Sequence, residues 1–175
     1  MMRASQLVIS FVGDDRPGIV QTLASVVKKH EGNWLESRMS RLAGKFAGVA
    51  RIELPAEQLE HLKASLSSVP DISVLFEEAE NATEDPTSLG YTLNIVGPDR
   101  VGILQEVTSD LSRQDINVVD METRVGAAPM TGDLTFYAEA NVTAPHSIDL
   151  DELQRRLDAT ADQLGVDILM EAGDS

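Results

Sequence analysis

Apolar positions along this chain follow a strand rhythm and a helix rhythm by turns, and the whole succession occurs twice. Leu7–Val12 is a short apolar run ending at Gly13, which reads as a buried strand. Ile19, Val20, Leu23, Val26 and Val27 then recur at 3.6-residue spacing and give a helix one apolar face. Lys28 and Lys29 in its last turn, and Gly32 just beyond, are stop signals. Asn33 to about Ala43 reads as a second strand with uneven alternation. Phe46, Gly48, Ala50, Ile52 and Leu54 alternate with their neighbours along a third strand. Pro55 opens a second helix carrying Leu59, Leu62, Leu66 and Val69, and Ile72–Phe76 is a fourth strand. The order is β-α-β-β-α-β.

The second half repeats that order. Tyr91–Val96 is a strand, and Ile103, Leu104, Val107 and Leu111 make an apolar helix face. Asn117–Val125 is a strand with Val119, Met121 and Val125 on one side. Leu134, Phe136, Ala138, Ala140 and Val142 alternate along the next strand. Asp149 and Glu152 have capping-box spacing before a helix with Leu150, Leu153, Leu157, Ala161 and Leu164, and Gly165 stops it. Val166–Met170 is the last strand. Residues 126–132 (GAAPMTG) read as a hairpin turn, with a flexible partner contact as the other reading.

The repetition extends to residue identity. GDDRPGIVQ at 13–21 recurs as GPDRVGILQ at 97–105, an offset of 84 residues that holds through Ser25/Ser109 and Asn33/Asn117. The chain is therefore expected to form two domains, 1–80 and 91–175, joined by a polar linker over 81–90 (NATEDPTSLG). Each is a split βαβ, or ferredoxin-like, unit of α+β class, with an antiparallel sheet and its helices on one face. The bare sheet face and the sheet edges need cover. If Leu35 and Met39 face the helices, Trp34 points to the bare face, where it fits an interface between halves or between chains. The alternative is a partly buried residue near a strand end.

A formal net charge of −15 argues against direct contact with nucleic acid or an anionic membrane, whose phosphates demand Lys and Arg. It leaves open action through a protein partner. No cysteine is present, which removes disulfides, thiolate catalysis and zinc–sulfur sites and fits a cytoplasmic setting. No apolar run approaches 18 residues, and the amino terminus runs straight into a strand, with no room for a signal peptide. Each half is near the lower size limit for burying a core alone, so the halves are expected to pack on each other or on a second copy of the chain, as a homodimer.

The repeated turn, G-x-D-R-x-G-I, is the candidate site. The first N–H groups of a helix lack internal partners and carry positive partial charge, so a carboxylate lands there readily. Gly18 and Gly102 let a ligand approach the backbone. Asp15 or Asp99 would meet an α-ammonium, and Asn33 and Asn117 would supply a hydrogen bond. Each residue also has a plain structural use. Asp15 and Asp99 would cap their helices, Arg16 and Arg100 would be solvated or ion-paired, and Pro17 would suit a first helical turn.

DRPGIV and DRVGIL, each after a strand and a glycine and before an amphipathic helix, resemble the opening of ACT domains. The resemblance covers about residues 5–171. It implies regulatory modules that bind amino acids or related metabolites near this turn, often between two modules. On the matching positions it implicates Asp15, Arg16, Pro17, Gly18 and Ile19, with Asp99, Arg100, Val101, Gly102 and Ile103 in the second copy. Val101 replaces the proline of the first turn, so the two turns are not equivalent. Two such modules in a chain of this length resemble the glycine cleavage system transcriptional repressor group. Its members are understood to bind a partner activator protein in response to glycine without touching DNA. The same opening resembles the modules of formyltetrahydrofolate deformylases and nitrogen-sensing uridylyltransferases, which carry large catalytic domains in addition.

Catalytic patterns are missing from the sequence. His30, His61 and His146 lie far apart without metal-ligand spacing, and no P-loop, G-x-S-x-G or G-x-G-x-x-G occurs. The acidic run Glu77, Glu78, Glu80, Glu84 and Asp85 reads as a solvated linker, with attraction of a cation as the other reading. Two functions remain. One is a non-enzymatic sensor, without cofactor, that binds a small, glycine-like amino acid and signals to a protein partner such as a transcriptional activator. The other is a ligand-free module for protein interaction or dimerisation.

Overall fold

A computed structural model of the chain describes residues 4–79 and 88–173. It divides into two compact units, parted between residues 83 and 84. The first runs β1 (Ala4–Asp14), α1 (Ile19–Lys29), β2 (Asn33–Leu42), β3 (Lys45–Pro55), α2 (Leu59–Ser67) and β4 (Ile72–Glu78). The second runs β5 (Ser88–Pro98), α3 (Ile103–Arg113), β6 (Asn117–Ala127), β7 (Leu134–Pro145), α4 (Leu150–Leu164) and β8 (Asp167–Ala172). Each unit is a four-stranded antiparallel sheet, ordered β2-β3-β1-β4 and β6-β7-β5-β8. The expected β-α-β-β-α-β order and α+β class hold in both units. Residues 81–87 of the expected linker lie outside the described residues, as do Glu80, Glu84 and Asp85. Residues 88–90 begin β5.

The cores follow the two rhythms. Leu7, Ile9 and Phe11 of β1 and Ala50, Ile52 and Leu54 of β3 are buried against Ile19, Leu23 and Val27 of α1 and Leu62 and Leu66 of α2. Leu93 and Ile95, with Phe136, Ala138, Ala140 and Val142, do the same against Val107, Leu111, Leu153 and Leu157. Val20 is the exception on α1: it sits at the rim, well exposed.

Three local expectations need correction. Pro55 ends β3, and a single 3-10 turn at Ala56–Gln58 precedes α2. Proline has no N–H for a further ladder bond, so it closes the strand before the helix begins. Asp149 caps α4, its Oδ1 accepting from the Asp151 N–H at 2.9 Å and the Glu152 N–H at 3.4 Å. Glu152 does not complete a capping box. Its carboxylate turns forward to Arg156, 2.7 Å away, and to Arg155, because two cations one turn on outweigh one neutral N–H.

The third correction concerns the second strand of each unit. The β2–β3 register shifts between Trp34 and Glu36, and the β6–β7 register shifts between Val118 and Asp120, the same place in the repeat. An extra residue in one strand inverts the facing of everything before it. Trp34 consequently stands opposite Ile52 and packs against its own unit's core, on the helix side. Met39, beyond the bulge, lies on that side too, opposite Gly48. Likewise Val118, Met121 and Val125 stand opposite the helix-facing Val142, Ala140 and Phe136, while Val119 occupies the bulge, exposed.

Candidate functional site

β1 and α1 meet at the first turn, β5 and α3 at the second. The backbone must reverse between strand and helix within four residues. Gly18 does so at φ +93° and Gly102 at φ +88°, left-handed values that L side chains seldom adopt. Nothing lies within 4 Å of where a Cβ on Gly18 would stand. Each glycine is the residue before the first helical turn. Pro17 and Val101 therefore sit outside the helices, both exposed, and Pro17 is not a first-turn helical proline.

Neither helix start is capped by a side chain. The Gly18 carbonyl accepts from the Thr22 N–H at 2.9 Å, and the Gly102 carbonyl from the Glu106 N–H at 3.0 Å. The earlier N–H groups, through Gln21 and Gln105, precede the first α-helical bond by position. Asp15 and Asp99 thus do not serve as caps. Asp15 Oδ2 instead accepts from Arg41 Nη1 at 3.3 Å, while its own N–H donates to the Gly44 carbonyl at 3.0 Å. The Asp99 N–H does the same to the Leu134 carbonyl, also at 3.0 Å. These backbone bonds tie each turn to the hairpin behind it. Asp14, beside the first turn, pairs with Lys45, and that hydrogen bond and charge hold its carboxyl below the usual range.

The arginines reveal where the turns part company. Arg16 Nη2 donates to the Pro70 carbonyl at 3.4 Å, and Arg100 Nη2 donates to the Leu164 carbonyl, again at 3.4 Å. Both guanidiniums thus hang from a carbonyl just ahead of the unit's last strand. Arg100 also forms a two-pronged pair with Glu106: Nη1 to Oε1 at 3.1 Å and Nη2 to Oε2 at 2.6 Å. The bonds from Arg100 hold the Glu106 carboxyl below its usual range. Among the described residues no carboxylate forms an ion pair with Arg16 within 4 Å, although its charge does reach the Asp14 carboxylate, which hydrogen-bonds to Lys45.

Ile19 and Ile103 are buried core residues, so only their backbone is available to a ligand. Asn33 and Asn117 are not brought to the turns of their own units. Asn33 lies level with Glu53 and Gln6, eight residues up the sheet from Asp14, or about 26 Å at strand rise. Asn117, level with Thr143 and Gly90, stands equally far from Pro98. A depression of about 290 Å³ does form at the first turn, lined by Asp15, Arg16, Gly18, Val20, Gln21 and Phe46. Phe46 and Arg41 escape a motif search because they come from the hairpin, far away in sequence. Glu106 was open to discovery: at the repeat offset it falls opposite Thr22.

No group of three or more His, Asp or Glu able to hold a metal occurs among the described residues. His30 bridges α1 to the second helix, with Nδ1 3.1 Å from Gln58 Oε1 and Nε2 2.8 Å from Ser65 Oγ. No described helix is long and apolar enough to cross a membrane.

Comparison with known proteins agrees with the tandem fold. The ACT-domain family model matches twice, at residues 5–71 and 92–171. Among solved structures, an unknown protein from Galdieria sulphuraria superposes with a TM-score of 0.86 at 29% identity, covering 98% of this chain and 100% of that one. A protein provisionally described as a glycine cleavage system transcriptional repressor superposes at 0.77 with 17% identity, covering 98% and 99%, which is a likeness of fold. A UPF0237 protein from Methanosarcina mazei is 28% identical over 89 residues, spanning 51% of this chain and 91% of its own.

Proposed function

This chain belongs to the ACT-domain family, in tandem form, and from that premise we propose that it is a non-enzymatic regulator that binds a small amino acid at a strand-to-helix turn. The observation that carries the proposal is the first turn. There an uncapped helix start, a side-chain-free Gly18 and an Arg16 whose nearby carboxylate, Asp14, is hydrogen-bonded to Lys45 share one depression. A carboxylate takes up the helix N–H groups and faces the guanidinium, and Asp15 is at hand for an ammonium. Binding alters the energy of one arrangement of the protein relative to another, and a protein partner reads the difference. The fold shared with the repressor-like protein makes glycine the first ligand to try and a transcriptional activator the first partner.

Thermal unfolding of the full chain against a panel of amino acids, glycine and serine included, tests this. A ligand for the folded state raises stability by about 2.7 kcal/mol at a hundredfold excess over its Kd. We expect an upward shift for one or two panel members, lost in Gly18→Val. A flat panel at millimolar concentrations contradicts the proposal.

One observation favours the second reading, an interaction or dimerisation module. On the sheet face away from the helices of the first unit, Val12, Val49 and Leu75 are exposed, Leu75 to 73%. On this reading the chain self-associates through that face, and Leu75→Asp lowers its sedimentation coefficient at high concentration. A coefficient unchanged by the substitution removes the reading.

A further inference from the structure

We propose that Glu106 is a built-in anion that closes the second turn, leaving the first as the one that accepts a free carboxylate. The inference rests on the reading of the turns as carboxylate sites and decides between two copies whose shared motif does not say which one binds. The arginines start from the same place, each held at 3.4 Å by a carbonyl before the last strand. Asp14, which the second copy replaces with Pro98, feels the charge of Arg16 but hydrogen-bonds to Lys45, so the deciding difference is at one repeat position on the helix. In α3 it is Glu106, whose two carboxylate oxygens occupy two N–H groups of the Arg100 fork. In α1 it is Thr22, whose hydroxyl donates back to the Gly18 carbonyl at 2.9 Å and brings no charge. A bidentate pair takes up the planar edge formed by Nη1 and Nη2, so a ligand must displace Glu106 to grip Arg100 through that edge.

Two further facts point the same way. The first turn of α1 contains no acidic residue, whereas Glu106 already sets a negative charge against the positive start of α3. A Cβ on Gly102 would stand 3.7 Å from Glu106 Oε1, so the carboxylate overhangs the glycine through which a ligand would approach; Gly18 has open space there. The tether makes Glu106 an intramolecular competitor, present at an effective concentration on the order of mM that a free ligand must exceed to displace it. The second unit then keeps a turn of bound shape without ligand.

Exchanging the two residues tests the inference. Thr22 is exposed and a glutamate suits a first helical turn, so both Thr22→Glu and Glu106→Thr preserve the fold, which far-ultraviolet circular dichroism checks. The first readout needs no amino acid: phenylglyoxal labelling of the full chain, with Arg16 and Arg100 tracked by peptide mass spectrometry. We expect Arg16 to react several-fold faster in the wild type, Arg100 to reach its rate in Glu106→Thr, and Arg16 to slow in Thr22→Glu. Equal rates in the wild type, or an Arg100 indifferent to Glu106→Thr, overturn the inference. The second readout is calorimetric titration with the panel amino acid of greatest thermal shift. We expect one site per wild-type chain, two in Glu106→Thr and none in Thr22→Glu. One site in both wild type and Glu106→Thr overturns the inference and leaves the carboxylate reading standing. Binding by none of the three overturns that reading, while the labelling rates still decide whether Glu106 shields Arg100.

Discussion

At Asp15, Asp99 and Asp149 the same residue type meets three helix starts and caps only one. The Asp149 side chain accepts two backbone N–H groups, and the other two aspartates accept none at their helices. Asp149→Ala should therefore cost about 1 kcal/mol, the usual worth of a lost cap. Asp15→Ala and Asp99→Ala should stay within about 0.5 kcal/mol, as exposed substitutions do. Urea unfolding of the three variants separates them, and a cost at Asp15 equal to that at Asp149 would restore a capping role. Glycine is judged by a different criterion. Because a Cβ on Gly18 meets nothing, any cost of Gly18→Ala is conformational, about 1–2 kcal/mol for a left-handed residue. Gly18→Asn, which tolerates that region better, should recover part of it; if asparagine costs as much as alanine, the strain is not in the backbone.

Among elements, the strands and helices were legible because their apolar periods differ, and the fold emerged from the order of those periods. The facing of Trp34 was not legible. Alternation predicts the bare sheet face, and a one-residue bulge turns it to the core. A bulge of this kind carries no residue signature, but its recurrence at Val118–Asp120 shows that it belongs to the fold and not to one strand. Asn33 and Asn117 misled for a related reason: proximity in a sequence motif says nothing about which end of a sheet a strand begins at. Glu106 was legible in principle, since superposing the repeats sets it against Thr22. Its pairing gives α3 a pH signature. The carboxyl of Glu106 is held below its ordinary value of 4.5 by Arg100, so the stabilisation is present above that value and disappears as pH falls through the lower, folded-state value. The melting-temperature difference between wild type and Glu106→Gln should hold at neutral pH and shrink on acidification below about pH 4.5. A difference that grows on acidification contradicts the pairing.

As a whole molecule, this is one module written twice with changes at and beside its repeated turn. Duplication supplies two cores and two turns, and divergence at one helical position distinguishes an open turn from a self-satisfied one. A net charge of −15 leaves little basic surface for a nucleic acid, so a regulatory output through protein contact fits the charge as well as the family. On the proposed reading, that output depends on the first turn receiving a ligand. The most direct test is a heteronuclear NMR titration of the full chain with the amino acid selected by the thermal panel, monitoring the backbone amides of Gly18 to Gln21 and of Gly102 to Gln105. The expected result is saturable shifts at the first set and little movement at the second. Saturable shifts confined to other parts of the chain, or no shifts with any panel member, would contradict it.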